Sequence, residues 1–337
     1  MKVCIVGAGA IGGLLGTRLA ASGRSEVSAI ARGATLSSLR TNGWQLRQHD
    51  ALIRAPATAS ENAADLGVQD LVVIAVKGHA LPAVAQRIGP LLGPETMVLP
   101  AMNGVPWWFF DDPAAPYAGT RLESVDPGGS IAAALPTRNV IGCVVHASAA
   151  TIEPGLVRHS IGDGLIIGEI DGRETARIAA LAELLGHAGF AVTRSPHIRT
   201  QIWYKLWGNL TMNPVSALTG ATSDRVLADP LVRKFCTAAM EEVAAIGARI
   251  GCDVKQTPDE RHAITRKLGA FKTSMLQDVE AGRPLEIDSI IGAVKEIGVK
   301  VGMATPCIDG LLGLVRLFAR VRGLYPDAPA GEGATVR

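Results

Sequence analysis

The sequence has almost no surplus charge. Its 33 Lys and Arg residues face 31 Asp and Glu, a formal net charge of +2 over 337 residues. So close a balance gives no broad field for nucleic acid or an anionic membrane; an anionic ligand has to be recognised by a local site. Paired cysteines are also missing. Cys4, Cys143, Cys236, Cys252 and Cys307 are dispersed, odd in number and without a CxxC pair. This argues against a disulfide framework and a zinc site, and fits reduced thiols in a cytoplasmic protein. The seven histidines form no HxxxH or HxH pair, so core or loop roles are expected of them and no metal. No run of 18 apolar residues exists to span a membrane. The apolar start, VCIVGAGAIGGLLG, is broken by glycines and lacks the cleavage site of a secretory signal. There is no repeat period, and residues 326–337, PDAPAGEGATVR, read as a loose tail.

What is present is a large apolar fraction, 48%, patterned in two ways. The first part alternates strands with helices: KVCIVGAG, then IGGLLGTRLAASG closed by Gly23, then EVSAIAR, DLVVIAVK, HALPAVAQRIGPLL and TMVLPAMNG. That alternation predicts an α/β domain with a parallel sheet and crossovers. Residues 111–137 carry several prolines and read as a loop-rich insertion. The β-like stretches between 139 and 195 are expected to extend the same sheet with antiparallel members. From about 197 the pattern is helical, with helices expected over 199–219, 224–251, 258–281, 286–302 and 308–321. The domains are therefore placed at 1–196 and 197–325, with the boundary near Ser195–His197.

Gly7-Ala8-Gly9-Ala10-Ile11-Gly12 follows a strand and opens a helix. The first glycine makes a tight turn, the second admits a pyrophosphate to the backbone, and the third lets helix and strand pack. The helix N-terminus then presents unpaired N–H groups to phosphate. These residues are assigned to a dinucleotide. The second strand ends on Arg32, where an Asp or Glu would hold ribose hydroxyls; a guanidinium there suits a 2′-phosphate and favours NADP over NAD or FAD. Lys77, after LVVIAV, points to the same edge as a second cation.

WYKLWGNLTMNP sets Lys205, Asn209 and Asn213 on one helical stripe among Trp203, Leu206, Trp207 and Leu210. A helix so apolar should be buried on most sides, and buried amines and amides need polar surroundings. A stripe facing solvent is the alternative. Pro214 disfavours helical geometry at Asn213 and should kink the helix there. TSMLQDVEAGRPLEID adds Ser274, Asp278, Glu286 and Asp288, with Glu286 beginning a helix, where the dipole favours a carboxylate. PAMNGVP sets Asn103 on the turn after a strand, where doubly wound folds bind ligands. Trp107, Trp108, Phe109 and Phe110 can wall a pocket or pack the insertion.

GAGAIG, AMNGVP, KLWGNLTMNP and SMLQD…GRPLEID, in that order, resemble the ketopantoate reductase (2-dehydropantoate 2-reductase) family, PanE/ApbA, over residues 1 to about 320. The resemblance implies a Rossmann domain plus an all-α domain related to the C-terminal part of 6-phosphogluconate dehydrogenases. It implies NADPH-dependent reduction of ketopantoate to D-pantoate in pantothenate biosynthesis. Lys205 falls on the general acid. Asn209, Asn213 and the loop Ser274, Met275, Leu276 and Gln277 fall on substrate positions, and Asn103 on a residue touching both substrate and cofactor. Arg32 and Lys77 fall on the 2′-phosphate side, Ser148 on a cofactor contact, and Glu286 on a carboxylate near the cofactor and active site. Because cofactor and substrate residues fall in different domains, closure between them is expected. The family's Ser-Ser-Met reads Thr273-Ser274-Met275 here. Two other readings stay open: a relative acting on another 2-keto acid, and a non-catalytic NADPH sensor. A homodimer through the helical domain is a further expectation.

Overall fold

The computed structural model describes residues 1–327; the tail expected at 326–337 lies, from 328 onward, outside the described residues. The chain divides into two compact units, the first ending at Trp203 and the second beginning at Tyr204.

The first unit runs β1 (Lys2–Val6), α1 (Ala10–Ala21), β2 (Glu26–Ile30), α2 (Gly33–Asn42), β3 (Trp44–Gln48), β4 (Ala51–Ala55), β5 (Thr58–Ser60), β6 (Leu71–Ile74), α3 (Leu81–Ala85) and β7 (Met97–Pro100). Five of these strands form a parallel sheet in the order β5-β2-β1-β6-β7. Val3, Cys4, Ile5 and Val6 are all buried, as are Leu71 to Ile74, because helices cover a parallel sheet on both faces. Burial without a partner charge pushes the Cys4 thiol up to about 11, so it stays protonated. The helix expected after β6 is broken. Only Leu81–Ala85 is α-helical, between 3-10 turns at 78–80 and 89–91, the second of which holds Pro90.

The later strands do not extend this sheet, contrary to the sequence-based expectation. After α4 (Ser130–Ala134) come β8 (Gly142–Glu153) and β9 (Leu156–Gly168), then α5 (Ala176–His187) and β10 (Ala191–Arg194). They build a second sheet, β10-β9-β3-β4, with β8 antiparallel to β9. The edge that receives β9 belongs to the β3–β4 hairpin, whose alternation escaped the sequence reading. Glycines of α1 let this sheet press on the helix. A Cβ on Gly13 would lie 2.5 Å from Val157, and one on Gly16 2.5 Å from the Trp44 ring.

Residues 111–137 are mostly turns, with α4 capped at its start by Asp126, whose carboxylate accepts from the backbone N–H groups of Ile131 (2.7 Å) and Ala132 (3.0 Å). Trp107, Trp108, Phe109 and Phe110 are at most 5% exposed, so the aromatic run turns inward. Phe109 meets Phe110 edge-on at 5.2 Å and tilts against Trp203 at 6.0 Å. The Arg199 guanidinium lies 5.0 Å from the Phe109 ring centroid, and its Nε donates to the Phe109 carbonyl at 2.7 Å.

Helix α6 (Ile198–Thr219) starts in the last residues of the first unit and runs on through the second, continuing past Pro214. The second unit adds α7 (Ser223–Ala228), α8 (Pro230–Arg249), α9 (Pro258–Arg266), α10 (Ser274–Glu280), a π-helical turn at 288–292, α11 (Ala293–Lys300) and α12 (Pro306–Val321). Two expected long helices are each divided. Asp229 ends α7 and caps α8 by accepting from Leu231 and Val232, with Pro230 at the first helical position. The 258–281 helix stops at Arg266; Gly269 turns left-handed (φ +62°), and Thr273 caps a new start by accepting from Leu276 N–H at 3.2 Å. Among the described residues no helix is long and apolar enough to cross a membrane, and no group of three or more His, Cys, Asp or Glu residues could hold a metal.

Candidate active site

The carboxyl ends of four adjacent parallel strands carry the first set of candidates. Gly7 follows β1, Arg32 lies two residues beyond β2, Lys77 follows β6 and Asn103 follows β7. The ladder continues past the strands: Gly7 N–H donates to Ile30 (3.1 Å), Ala75 N–H to Val6 (2.9 Å) and Ala101 N–H to Ile74 (2.8 Å). This row lies outside the carboxyl ends of the sheet, the crevice in which doubly wound folds take ligands.

The glycines of the loop have separate duties. Gly7 has φ +94°, and a Cβ on it would meet Val76 at 2.6 Å. A Cβ on Gly12 would sit 2.0 Å from the Gly7 carbonyl oxygen, so the third glycine lets helix and turn touch. Gly9 is exposed and has nothing within 4 Å of the place a Cβ would take. It is the N-cap of α1, with no side-chain cap and no acid in the first turn. Ala10 and Ile11 open the helix half-buried, while Ala8 is buried. An open backbone at an uncapped helix N-terminus fits a pyrophosphate. Arg32 is exposed and is the N-cap of α2, which also has no first-turn acid. Ser148 lies half-buried on β8, at a shift of register between β8 and β9.

The contrast between two glycines gives a prediction. Gly9→Ala should leave the melting temperature unchanged and weaken dinucleotide binding. Gly12→Ala should itself destabilise the fold by about 1–3 kcal/mol, because backbone has to move. Thermal denaturation beside a fluorescence titration of the cofactor separates the two; equal behaviour would sink the assignment of separate roles.

The second set lies in the second unit. On α6, Lys205 and Asn209 are half-buried and Asn213 is 5% exposed, while Leu206, Trp207 and Leu210 are at most 2% exposed. The indole Nε1–H of Trp207 donates to the Met240 carbonyl at 2.8 Å, which locks the helix to α8. The polar stripe is thus held on a helix whose other sides are packed. Ser274 is exposed at the start of α10. Met275 and Leu276 are 2% exposed, so their side chains serve the core and their backbone is what they can offer a ligand. The Gln277 amide donates to the Lys272 carbonyl at 3.0 Å. Glu286 is buried immediately before Ile287, the first helical residue ahead of the π turn. Asp288 accepts from the Tyr325 hydroxyl at 2.6 Å; burial, and then this bond to a carboxylate, push that phenol up to about 12. The sequence reading passed over Arg261, one of several charged residues on α9 and part of no motif.

A doubly wound sheet with a glycine loop at its switch region, joined to a helical unit bearing a Lys-Asn-Asn stripe, defines a Rossmann-type oxidoreductase. Comparison with known proteins agrees. The family description "Ketopantoate reductase PanE/ApbA" matches residues 3–110, and "Ketopantoate reductase PanE/ApbA C terminal" matches residues 197–319. A 2-dehydropantoate 2-reductase of Mesorhizobium japonicum is 44% identical over 325 residues, covering 96% of this chain and 100% of that protein. A crystal structure from Ralstonia solanacearum, of a proposed ketopantoate reductase, superposes with a TM-score of 0.93 at 57% identity, covering 96% of this chain and 99% of the other. D-mandelate dehydrogenase, solved with NADH and anilino(oxo)acetate, shares the fold at TM-score 0.81 and 24% identity, covering 96% of this chain and 100% of the other. The chain belongs to the ketopantoate reductase PanE/ApbA family.

Proposed function

We propose that the protein reduces 2-dehydropantoate to D-pantoate with NADPH, in the making of pantothenate. The observation that carries the reading is the half-buried Lys205 on a helix otherwise packed with Trp and Leu, backed along its stripe by two asparagines. The nicotinamide, when bound, supplies a hydride to the keto carbon. Lys205 Nζ stabilises the charge that develops on the carbonyl oxygen and gives it a proton. Asn209 and Asn213 offer amide donors to the substrate without adding charge, and Ser274 a hydroxyl. Glu286 orients the lysine or holds a substrate hydroxyl. Asn103 and Ser148 serve the cofactor side, with Asn103 also reaching substrate, and the backbone of Met275 to Gln277 lines the substrate loop.

NADPH is preferred to NADH in this reading because Arg32 caps α2 beside the glycine loop, with Lys77 two strands away at the same edge. Arg32→Ala should raise KM for NADPH by about 10- to 100-fold, the worth of a charge-assisted pair, and leave NADH nearly unchanged. Initial rates with both cofactors check this; equal loss for both would remove the 2′-phosphate role. The whole reading is tested by following NADPH absorbance with ketopantoate beside a panel of other 2-keto acids. Rapid, selective oxidation with ketopantoate supports it. Faster turnover of a bulkier keto acid would move the protein to another substrate of the same chemistry, and no turnover at all would favour a sensor. A homodimer belongs to the same proposal: α12 exposes Leu314, Leu317 and Val321 at helical spacing, an apolar strip suited to a second copy.

A further inference from the structure

Arg261 has donors without acceptors. Its guanidinium carries five N–H groups, and Nη1 alone makes a hydrogen bond among the described residues, donating to the Tyr204 hydroxyl at 3.3 Å. Nε is buried with no partner. No carboxylate of the described residues pairs with it; neighbouring Glu260 is engaged in capping α9, accepting from Thr257 N–H at 2.8 Å. Arg261 is half-buried with its Nε shut away from solvent, and a guanidinium so placed with most of its donors unspent calls for an explanation.

The surroundings hold the group in place. The Tyr204 ring lies under it, 4.9 Å from ring centroid to Cζ. The Tyr204 hydroxyl gives its own proton to Gln256 Oε1 at 2.6 Å, which turns an oxygen lone pair toward Nη1. On the α6 side stands Gly208, where a Cβ would come within 2.8 Å of both Nε and Nη2. A glycine inside a long helix is disfavoured; here it makes room for the guanidinium. Gly208 is one turn from Lys205, so the guanidinium lies on the Lys205 side of the polar stripe. Its end edge, Nη1 with Nη2, is the pair that a carboxylate engages in two parallel bonds.

We propose that Arg261 binds the carboxylate of the keto-acid substrate beside the Lys205–Asn209 stripe and sets the preference for keto acids over neutral ketones. This rests on the reductase reading above. The test compares a turned-over 2-keto acid with its neutral amide, using the wild type, Arg261→Met, Arg261→Lys and Gly208→Ala. Arg261→Met should raise KM for the acid by about 10- to 100-fold while kcat falls much less, and leave the amide unchanged. Arg261→Lys should recover part of the loss. Gly208→Ala should follow Arg261→Met, since the new methyl displaces the guanidinium while alanine favours the helix. NADPH affinity and the melting temperature serve as controls; if Arg261→Met does not fold, Arg261→Lys and Gly208→Ala decide alone. Equal losses for acid and amide, or none, would overturn the role of Arg261 and leave the reductase standing. A wild type inert with every keto acid would overturn both.

Discussion

Lys205→Ala is expected to lower kcat by about 10²- to 10⁴-fold, the usual worth of a positioned general acid, with NADPH affinity unchanged. The reason lies in how the lysine is presented. Leu206, Trp207 and Leu210 are buried, and Trp207 is tied to Met240, so α6 cannot easily rotate to offer another donor. The neighbours on the stripe are amides, which can hydrogen-bond a substrate but cannot deliver a proton at neutral pH. Lys205→Arg should not restore the rate, because a guanidinium keeps its proton. The measurement is single-turnover hydride transfer with saturating NADPH, beside a fluorescence titration of the cofactor. Turnover that survives the substitution would remove Lys205 as the proton donor. Loss of cofactor binding together with turnover would point to misfolding instead.

Phe109→Ala is expected to destabilise the protein by about 3–5 kcal/mol, the range for a phenylalanine deleted from a packed core. Phe109 is 0% exposed and contacts Phe110, Trp203 and the Arg199 guanidinium. Removing the ring opens a cavity and strips the buried Arg199 cation of one of its two aromatic faces, while Phe110 and the backbone carbonyl that accepts from Arg199 remain. Phe109→Leu should cost less, since most of the volume is kept. Urea unfolding at constant slope gives the change. A stable Phe109→Ala variant with altered substrate preference would show that the aromatic run faces a ligand after all.

The first unit was legible where chemistry is local. A strand, three spaced glycines and a helix define the loop because positive φ at Gly7 and close packing at Gly12 are demands on single residues. Arg32 and Asn103 could be placed because the end of a parallel strand is visible as the end of an apolar run. The stripe on α6 was legible from the helical period alone. The helix breaks at Asp229 and Thr273 were missed, since apolar spacing continues across both and the caps are ordinary residues. The aromatic run stayed ambiguous, because four consecutive aromatics have no period that tells inside from outside.

By itself, then, the sequence determined the α/β-then-α order, the glycine loop, the cation after the second strand and the Lys-Asn-Asn stripe. Only the tertiary structure decided that β8 and β9 leave the parallel sheet for the β3 edge, that Trp107 to Phe110 turn inward, and that Arg261 lies against Gly208. Those outcomes depend on which distant surfaces meet. The pairing of β9 with β3 and the approach of α9 to α6 join residues far apart in the chain, and no local pattern encodes the partner.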